Sequence, residues 1–146
     1  MKTDFDQVNE WLIQLFHDFM ILEEQFLKES DYSEVTVKEL QQLTLVHTLG
    51  SCRATDIAKN QKLALSTITI TLNRLESKGY IKRDRSEKDR RVTHVALTDE
   101  GEALCAKHRE YFRSITESLM NSVYGTTENK LAGELSSLHK HLEDMK

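Results

Sequence analysis

The sequence predicts a mainly α-helical protein that carries one small β-hairpin. Three observations predict it. Long stretches space their apolar residues by three and four, as one buried face of a helix requires. The 146 residues include no proline and only five glycines, which argues against long loops and an all-β architecture. One stretch, Leu63 to Thr98, changes its period. Helical spacing stops there at Gly79, and two short strand-like runs follow around a highly charged tip.

This length suits one domain with its own core. The 38% apolar and 30% charged fractions are those of a soluble globular protein. No apolar run approaches the roughly 20 residues that a membrane helix needs. The acidic N-terminus lacks the apolar core of a signal peptide. Cys52 and Cys105 lie far apart and make no disulfide framework. The expected location is the cytoplasm.

Residues 5 to 29 form a long amphipathic helix on which Phe5, Val8, Leu12, Leu15, Phe16, Phe19, Leu22 and Phe26 recur at helical steps. Trp11, Ile13, Met20, Ile21 and Leu27 widen the apolar surface beyond one stripe. So apolar a helix needs cover on more than one side, and a second copy of the chain is the expected cover. After a connection over Ser30 to Val35, Thr36 and Glu39 form a capping box that opens a second helix. That helix buries Leu40, Leu43 and Val46 or His47 and ends near Gly50. A short helix at about Ala54 to Asn60 turns Ile57 and Ala58 inward. Gln61 to Ala64 is a brief turn into the next helix, so two helices are joined as a helix-turn-helix.

The second helix of that pair runs from about Leu65 to Lys78. Its expected buried stripe is Leu65, Ile68, Leu72 and Leu75. With about 3.6 residues per turn, the opposite side carries Ser66, Ile70, Asn73 and Ser77, flanked by Thr67, Thr69 and Arg74. A helix that only meets water would carry Glu and Lys there. Short Ser, Thr and Asn side chains let a helix sit deep in the major groove and reach base edges. Gly79 stops the helix. Tyr80 to Arg83 is the first expected strand, Asp84 to Arg91 a polar turn, and Val92 to Leu97 the return strand, with Thr93, Val95 and Leu97 on one face. This is the pattern of a winged helix-turn-helix: one helix for the major groove and a basic hairpin beside it.

Charge follows the same division. The net charge is −4. From Lys59 to His94, however, ten Lys or Arg meet four Asp or Glu, a balance of +6. Residues 1–50 balance to −7 and residues 95–146 to −3. A basic segment between acidic flanks is the electrostatic footprint of a DNA reader.

Beyond the hairpin, Thr98 caps another helix with Asp99 and Glu100 in its first turn. It runs to about Val123, with Leu104, His108, Tyr111, Phe112, Ile115, Leu119 and Val123 on one side. Gly125 breaks it, and Thr126 or Thr127 caps a last helix to about Asp144. There Leu131, Leu135, Leu138, Leu142 and Met145 repeat at coiled-coil-like spacing. The expected organisation is therefore three-part. Residues 1–35 are an N-terminal dimerisation helix and connection, 36–98 the winged helix-turn-helix, and 99–146 the C-terminal dimerisation helices.

The order of these elements, with Leu75 to Gly101 as its most specific piece (Gly79, Asp89, Arg90, Arg91, Leu97, Thr98 and Gly101), resembles the MarR family of bacterial transcription regulators. The resemblance covers nearly the whole chain. It implies a homodimer on double-stranded DNA at an inverted repeat, with the helix from Leu65 to Lys78 in the major groove. It also implies that a wing-tip Arg of an Asp-x-Arg motif, here Asp89 and Arg91, reaches the minor groove. A carboxylate can hold one guanidinium in a bidentate pair, leaving the other for phosphate or a narrow groove; whether Arg90 or Arg91 is the free one stays open. Where many relatives carry a cation in mid-helix, this chain has Ile70, suited to thymine methyls. The candidate DNA-binding residues are Ser66, Thr67, Thr69, Ile70, Asn73, Arg74, Lys88, Asp89, Arg90 and Arg91.

A narrower resemblance, carried by VNEWLIQLF, ILEEQFL, VTVKEL, RSEKDRRV and HLEDMK, is to the FabT-type branch, repressors of fatty-acid-biosynthesis genes. It implies long-chain acyl groups on acyl carrier protein (acyl-ACP) as corepressor, with Phe, Leu and Ile of the first and fifth helices lining an acyl tunnel or simply packing. Alternative effectors for such a regulator are a small phenolic or lipophilic compound, zinc or an oxidant. Zinc needs converging ligands, and His139 and His141 point apart on a helix, while Cys105 and His108 offer two. Cys52, beside Arg53 and a helix start, is the candidate reactive thiol. No phosphate loop, nucleophile elbow or paired-acid motif is present. No catalytic residue, metal site or cofactor is expected.

Overall fold

The computed structural model describes residues 1–85, 87–89, 91–122 and 128–146. Six helices and three short strands follow one another: α1 Asp4–Glu29, α2 Val37–Leu49, β1 Cys52–Arg53, α3 Ala54–Gln61, α4 Leu65–Ser77, β2 Ile81–Arg85, β3 Thr93–Leu97, α5 Asp99–Ser122 and α6 Glu128–Met145. The mainly α class with a hairpin wing is the one the periodicities predict. Expected bounds at Val123, and the break and caps assigned to Gly125, Thr126 and Thr127, lie outside the described residues.

Local chemistry sets most of the boundaries. Thr36 Oγ1 accepts the Glu39 N–H at 3.2 Å, and the Glu39 carboxylate accepts the Thr36 N–H at 2.9 Å, which closes the predicted capping box. Thr3 and Asp6 close a similar box on α1. Between α3 and α4 the backbone turns through Lys62 at φ 54°. Gly79, at φ 85°, ends α4 in the left-handed region that favours glycine.

The core lies where α2, α3, α4 and the sheet meet. Leu40, Leu43, Ile57, Leu72, Leu75 and Leu104 are fully buried, with Ile68, Val46 and Val95 beside them. Leu65 departs from expectation and is exposed. It heads the first turn of α4, which projects past the core, so helical spacing overextends the stripe by one turn.

The strands also differ from the predicted hairpin. The sheet has three strands, ordered β1-β3-β2 and antiparallel throughout. The unpredicted β1 pairs Cys52 with Val95 and Arg53 with His94. On the other side, β2 extends to Arg85, opposite Thr93. Asp84 and Arg85 are therefore ladder residues rather than part of the turn.

Helix α1 packs on α5 through rings. Phe26 lies 5.2 Å from Tyr111 and 5.5 Å from His108, and Phe19 stacks on Phe112 at 6.1 Å, all between ring centroids. His108 Nε2 sits 2.6 Å from Glu23 Oε1, so this half-buried histidine is partnered. The rest of α1 is bare: Phe5, Val8, Trp11, Leu12, Leu15 and Phe16 are exposed. So are Leu135, Leu138, Leu142 and Met145 of α6.

Candidate nucleic-acid interface

Helix α4 buries Ile68, Leu72 and Leu75 and turns its other side outward. Ser66, Thr67, Ile70, Asn73 and Arg74 are exposed, and Thr69 is half-buried against the wing side. Ile70, 55% exposed, is an apolar residue in the middle of a polar face. The face stays clear because α4 is fastened from behind, at its C-terminal end and on the wing side.

At its C-terminal end, Lys78 Nζ donates to Glu39 Oε2 at 2.8 Å and to the Glu34 carbonyl at 2.5 Å. Tyr80 donates its hydroxyl to the Glu34 carboxylate. That bond holds Glu34 below the usual carboxylate range, while burial and the adjacent carboxylate push the Tyr80 hydroxyl well up. None of these tertiary partners is singled out by the sequence, because each pair is far apart along the chain.

On the wing side, Arg83 Nε lies 3.9 Å from Glu76 Oε2, and a cleft runs between Thr69 and Glu76 of α4 and Arg83, Arg85 and Thr93 of the hairpin. Arg53 N–H donates to Asp56 Oδ2 at 2.9 Å and its guanidinium to Oδ1 at 3.1 Å, capping α3. Lys88, Asp89 and Arg91 are exposed at the tip; Arg90 lies outside the described residues. Of the expected carboxylate–guanidinium pair, the Arg90 half lies outside the described residues, and Asp89 engages the backbone of Arg91. Its Oδ1 accepts the backbone N–H of Arg91 at 2.9 Å, and its carbonyl accepts the Val92 N–H at 3.0 Å. An aspartate two residues upstream of a free N–H closes a turn on itself, which stiffens the tip.

The rival chemistries find less here. Cys52 and Cys105 are both buried. Burial pushes the Cys105 thiol up to about 11 and raises that of Cys52, assisted by Asp56. The helix start that Cys52 precedes is capped by Arg53 and Asp56, and Cys52 is buried in the core. Among the described residues no three His, Cys, Asp or Glu side chains converge as a metal site would require. Among them, too, no helix is long and apolar enough to cross a membrane.

The model of the MarR family matches residues 35–93, the helix-turn-helix and most of the wing. The crystal structure of Streptococcus pneumoniae FabT in complex with DNA superposes with a TM-score of 0.86 at 32% identity, covering 98% of this chain and 100% of that one. The chain belongs to the MarR family. It is 33% identical over 102 residues to the HTH-type transcriptional repressor MdtR of Bacillus subtilis, 70% of this chain and 66% of that protein. A mutant E. coli MarR complexed with operator DNA shares the fold, with a TM-score of 0.69 at 21% identity over 97% of this chain and 99% of that one. The chain spans less than two thirds of the curated relatives it matches, 66% and 62% of the first two. These relatives are named as transcription regulators and not as enzymes, and the chain has the architecture of a DNA-binding MarR-type regulator.

Proposed function

We propose that the chain acts as a homodimer that binds an inverted-repeat operator and represses fatty-acid-biosynthesis genes, with long-chain acyl-ACP as corepressor. The observation that carries this reading is the outward face of α4, short, polar and clear of tertiary partners, set beside a basic hairpin. In it, Ser66, Thr67, Thr69, Ile70, Asn73 and Arg74 meet the major groove, while Lys88, Arg90 and Arg91 meet the flanking backbone or minor groove and Asp89 shapes the tip. Residues 1–35 and 99–146 pair the two chains, and 36–98 read DNA. The bare apolar faces of α1 and α6 support the pairing.

The fatty-acid assignment draws support from the likeness to FabT over the full length of that chain. A lipid effector also suits the ring cluster between α1 and α5, where Phe19, Phe26, Tyr111 and Phe112 are in contact. An acyl chain seated there would have to part those rings. It would alter DNA affinity only by favouring one spacing of the two reader lobes over another. Gel-shift titrations on fatty-acid gene promoters, with and without long-chain acyl-ACP, test both halves. Tighter promoter binding with acyl-ACP than with the unacylated carrier is the expected result. Equal binding with both removes the corepressor, and no preference for these promoters over random DNA removes the target assignment.

A further inference from the structure

A helix lying in the major groove has a phosphate backbone rising on each side. The groove is about 12 Å wide, and a helix with its side chains is about 10–12 Å across. The wing serves one side of α4, next to Thr69 and Glu76. The other flank carries Thr71 and Arg74. It faces a cleft of about 490 Å³ between the end of α1, the connection to α2 and the first turn of α2.

Three cations line this second cleft: Lys28 from α1, Lys38 from α2 and Arg74 from α4. All three are exposed, and none has an ion-pair or hydrogen-bond partner for its side chain among the described residues. Two acids share the cleft, Glu24 and Glu39. Glu39 is already neutralised by Lys78 at 2.8 Å. That leaves three free cations against Glu24, a local balance of +2. The cleft lies mostly inside residues 1–50, which balance to −7 as a whole, so its sign runs against its surroundings. The N-terminal end of α2 opens on the same place and adds partial positive charge of the same sign.

We propose that this cleft is a second phosphate-binding site for duplex DNA, in which Lys28, Lys38 and Arg74 grip the backbone on the side of α4 away from the wing. The proposal rests on the DNA-binding reading above and extends it. The helix is held in the groove from two sides, by the hairpin on one and the α1–α2 junction on the other. Arg74 becomes a backbone contact rather than a base reader. Because Lys28 belongs to α1, a shift of α1 would move that cation relative to the groove.

Such contacts are independent of base sequence and release counterions, so salt dependence reads them directly. Each phosphate neutralised contributes about 0.9 to the slope of log K against log salt, and a dimer carries two copies of each residue. Lys28→Gln and Lys38→Gln, singly and together, would be titrated by fluorescence anisotropy with a random-sequence duplex of about 30 base pairs over a range of NaCl. Lys140→Gln on α6, which removes the same charge away from the cleft, is the control. The expected result is a slope shallower by about 1.8 for each single change, with the control at the wild-type slope. Sequence preference in operator selection should be the same for all variants. A double variant with the wild-type slope, or a control that lowers the slope as much, overturns the proposal while leaving DNA binding intact. A wild-type protein that binds no duplex overturns the DNA-binding reading itself, and this proposal with it.

Discussion

Lys78 at the C-terminal end of α4 places its ammonium 2.8 Å from the carboxylate of Glu39, a side chain that is only 2% exposed in α2. A charge so enclosed is tolerated because it is paired and because it also takes the Thr36 N–H. One carboxylate therefore caps α2 and locks α4 against it. Among the described residues Glu39 Oε1 has no hydrogen-bond partner, so the site has no spare donor there to replace a lost lysine. Lys78→Met should cost about 1.5–3 kcal/mol, the range for a hydrogen bond to a charged group, as measured by urea unfolding. Combining it with Glu39→Gln should cost less than the sum of the two changes, since the second removes the stranded charge. Strict additivity would show that the pair contributes nothing jointly.

Gly101 joins the wing to α5. A Cβ there would sit 2.2 Å from the Tyr80 carbonyl oxygen, which is backbone and cannot swing aside. The same carbonyl accepts the Thr98 N–H at 3.0 Å, and Thr98 Oγ1 donates to the Gly79 carbonyl at 2.6 Å. Alanine is worth about 1 kcal/mol more than glycine inside a helix, but overpacking costs about 1–3 kcal/mol. Gly101→Ala is expected to lower the melting temperature, as followed by circular dichroism. A rise would mean that α5 can slide away from the wing without loss.

Much of this architecture is legible in the sequence because its causes are local. Thr36 and Glu39 are three residues apart, and their capping box forms as their spacing predicts. The elements that escape a sequence reading are the non-local ones. Strand β1 is two residues long, too short for any period, and exists because Val95 and His94 lie beside it. The extension of β2 to Arg85 is likewise set by its partner Thr93. Glu39 and Lys78 are separated by 39 residues, so nothing in either segment announces the lock. Leu65 departs for the opposite reason: its helical period is right, but the core ends before it does.

Both thiols should be inert in the folded protein. Burial raises them, Cys105 to about 11, so at neutral pH the reactive thiolate is scarce. Ellman's reagent should label neither at pH 8 in native protein and both after unfolding in guanidinium. Fast native labelling of Cys52 would restore it as an oxidant sensor. The sign of the pH dependence follows from the same shifts. Each thiol's folded value lies above its unfolded value, so stability is intact below the unfolded thiol range, near about 8.5, and declines as pH rises toward the folded one. The Glu34 carboxylate, held low by Tyr80, acts at the other end: its contribution is present above the ordinary carboxylate range and fades as acid protonates it.

Ile70 should set part of the sequence preference. A methyl-bearing thymine edge would cover its exposed carbons, at about 0.8 kcal/mol per buried CH2. Ile70→Ala should therefore relax selection at one position of each half-site while leaving the salt slope unchanged. Arg91→Gln should do the reverse, lowering affinity and flattening the slope by about 0.9 for each phosphate it no longer neutralises. Operator selection followed by sequencing, with anisotropy titrations in parallel, separates the two. Unchanged preference in Ile70→Ala would remove it from the base readers.

Dimerisation carries the last prediction. Trp11 is 65% exposed and Phe16 63% exposed in the single chain, on a helix whose apolar surface extends far beyond what α5 covers. Leaving such side chains in water forgoes about 1.5–3 kcal/mol for each large apolar residue, whereas a second copy can bury several at once. Analytical ultracentrifugation of the wild type should give twice the 16.9 kDa chain mass. Phe16→Asp places a charge in that face, with little effect on the lobe, because the buried core of residues 36–98 does not include Phe16. The variant should sediment as a folded monomer and retain near-native circular dichroism. Its operator affinity should fall steeply, since two linked readers bind with an effective concentration that separate ones lack. A variant that remains dimeric would move the interface away from this part of α1.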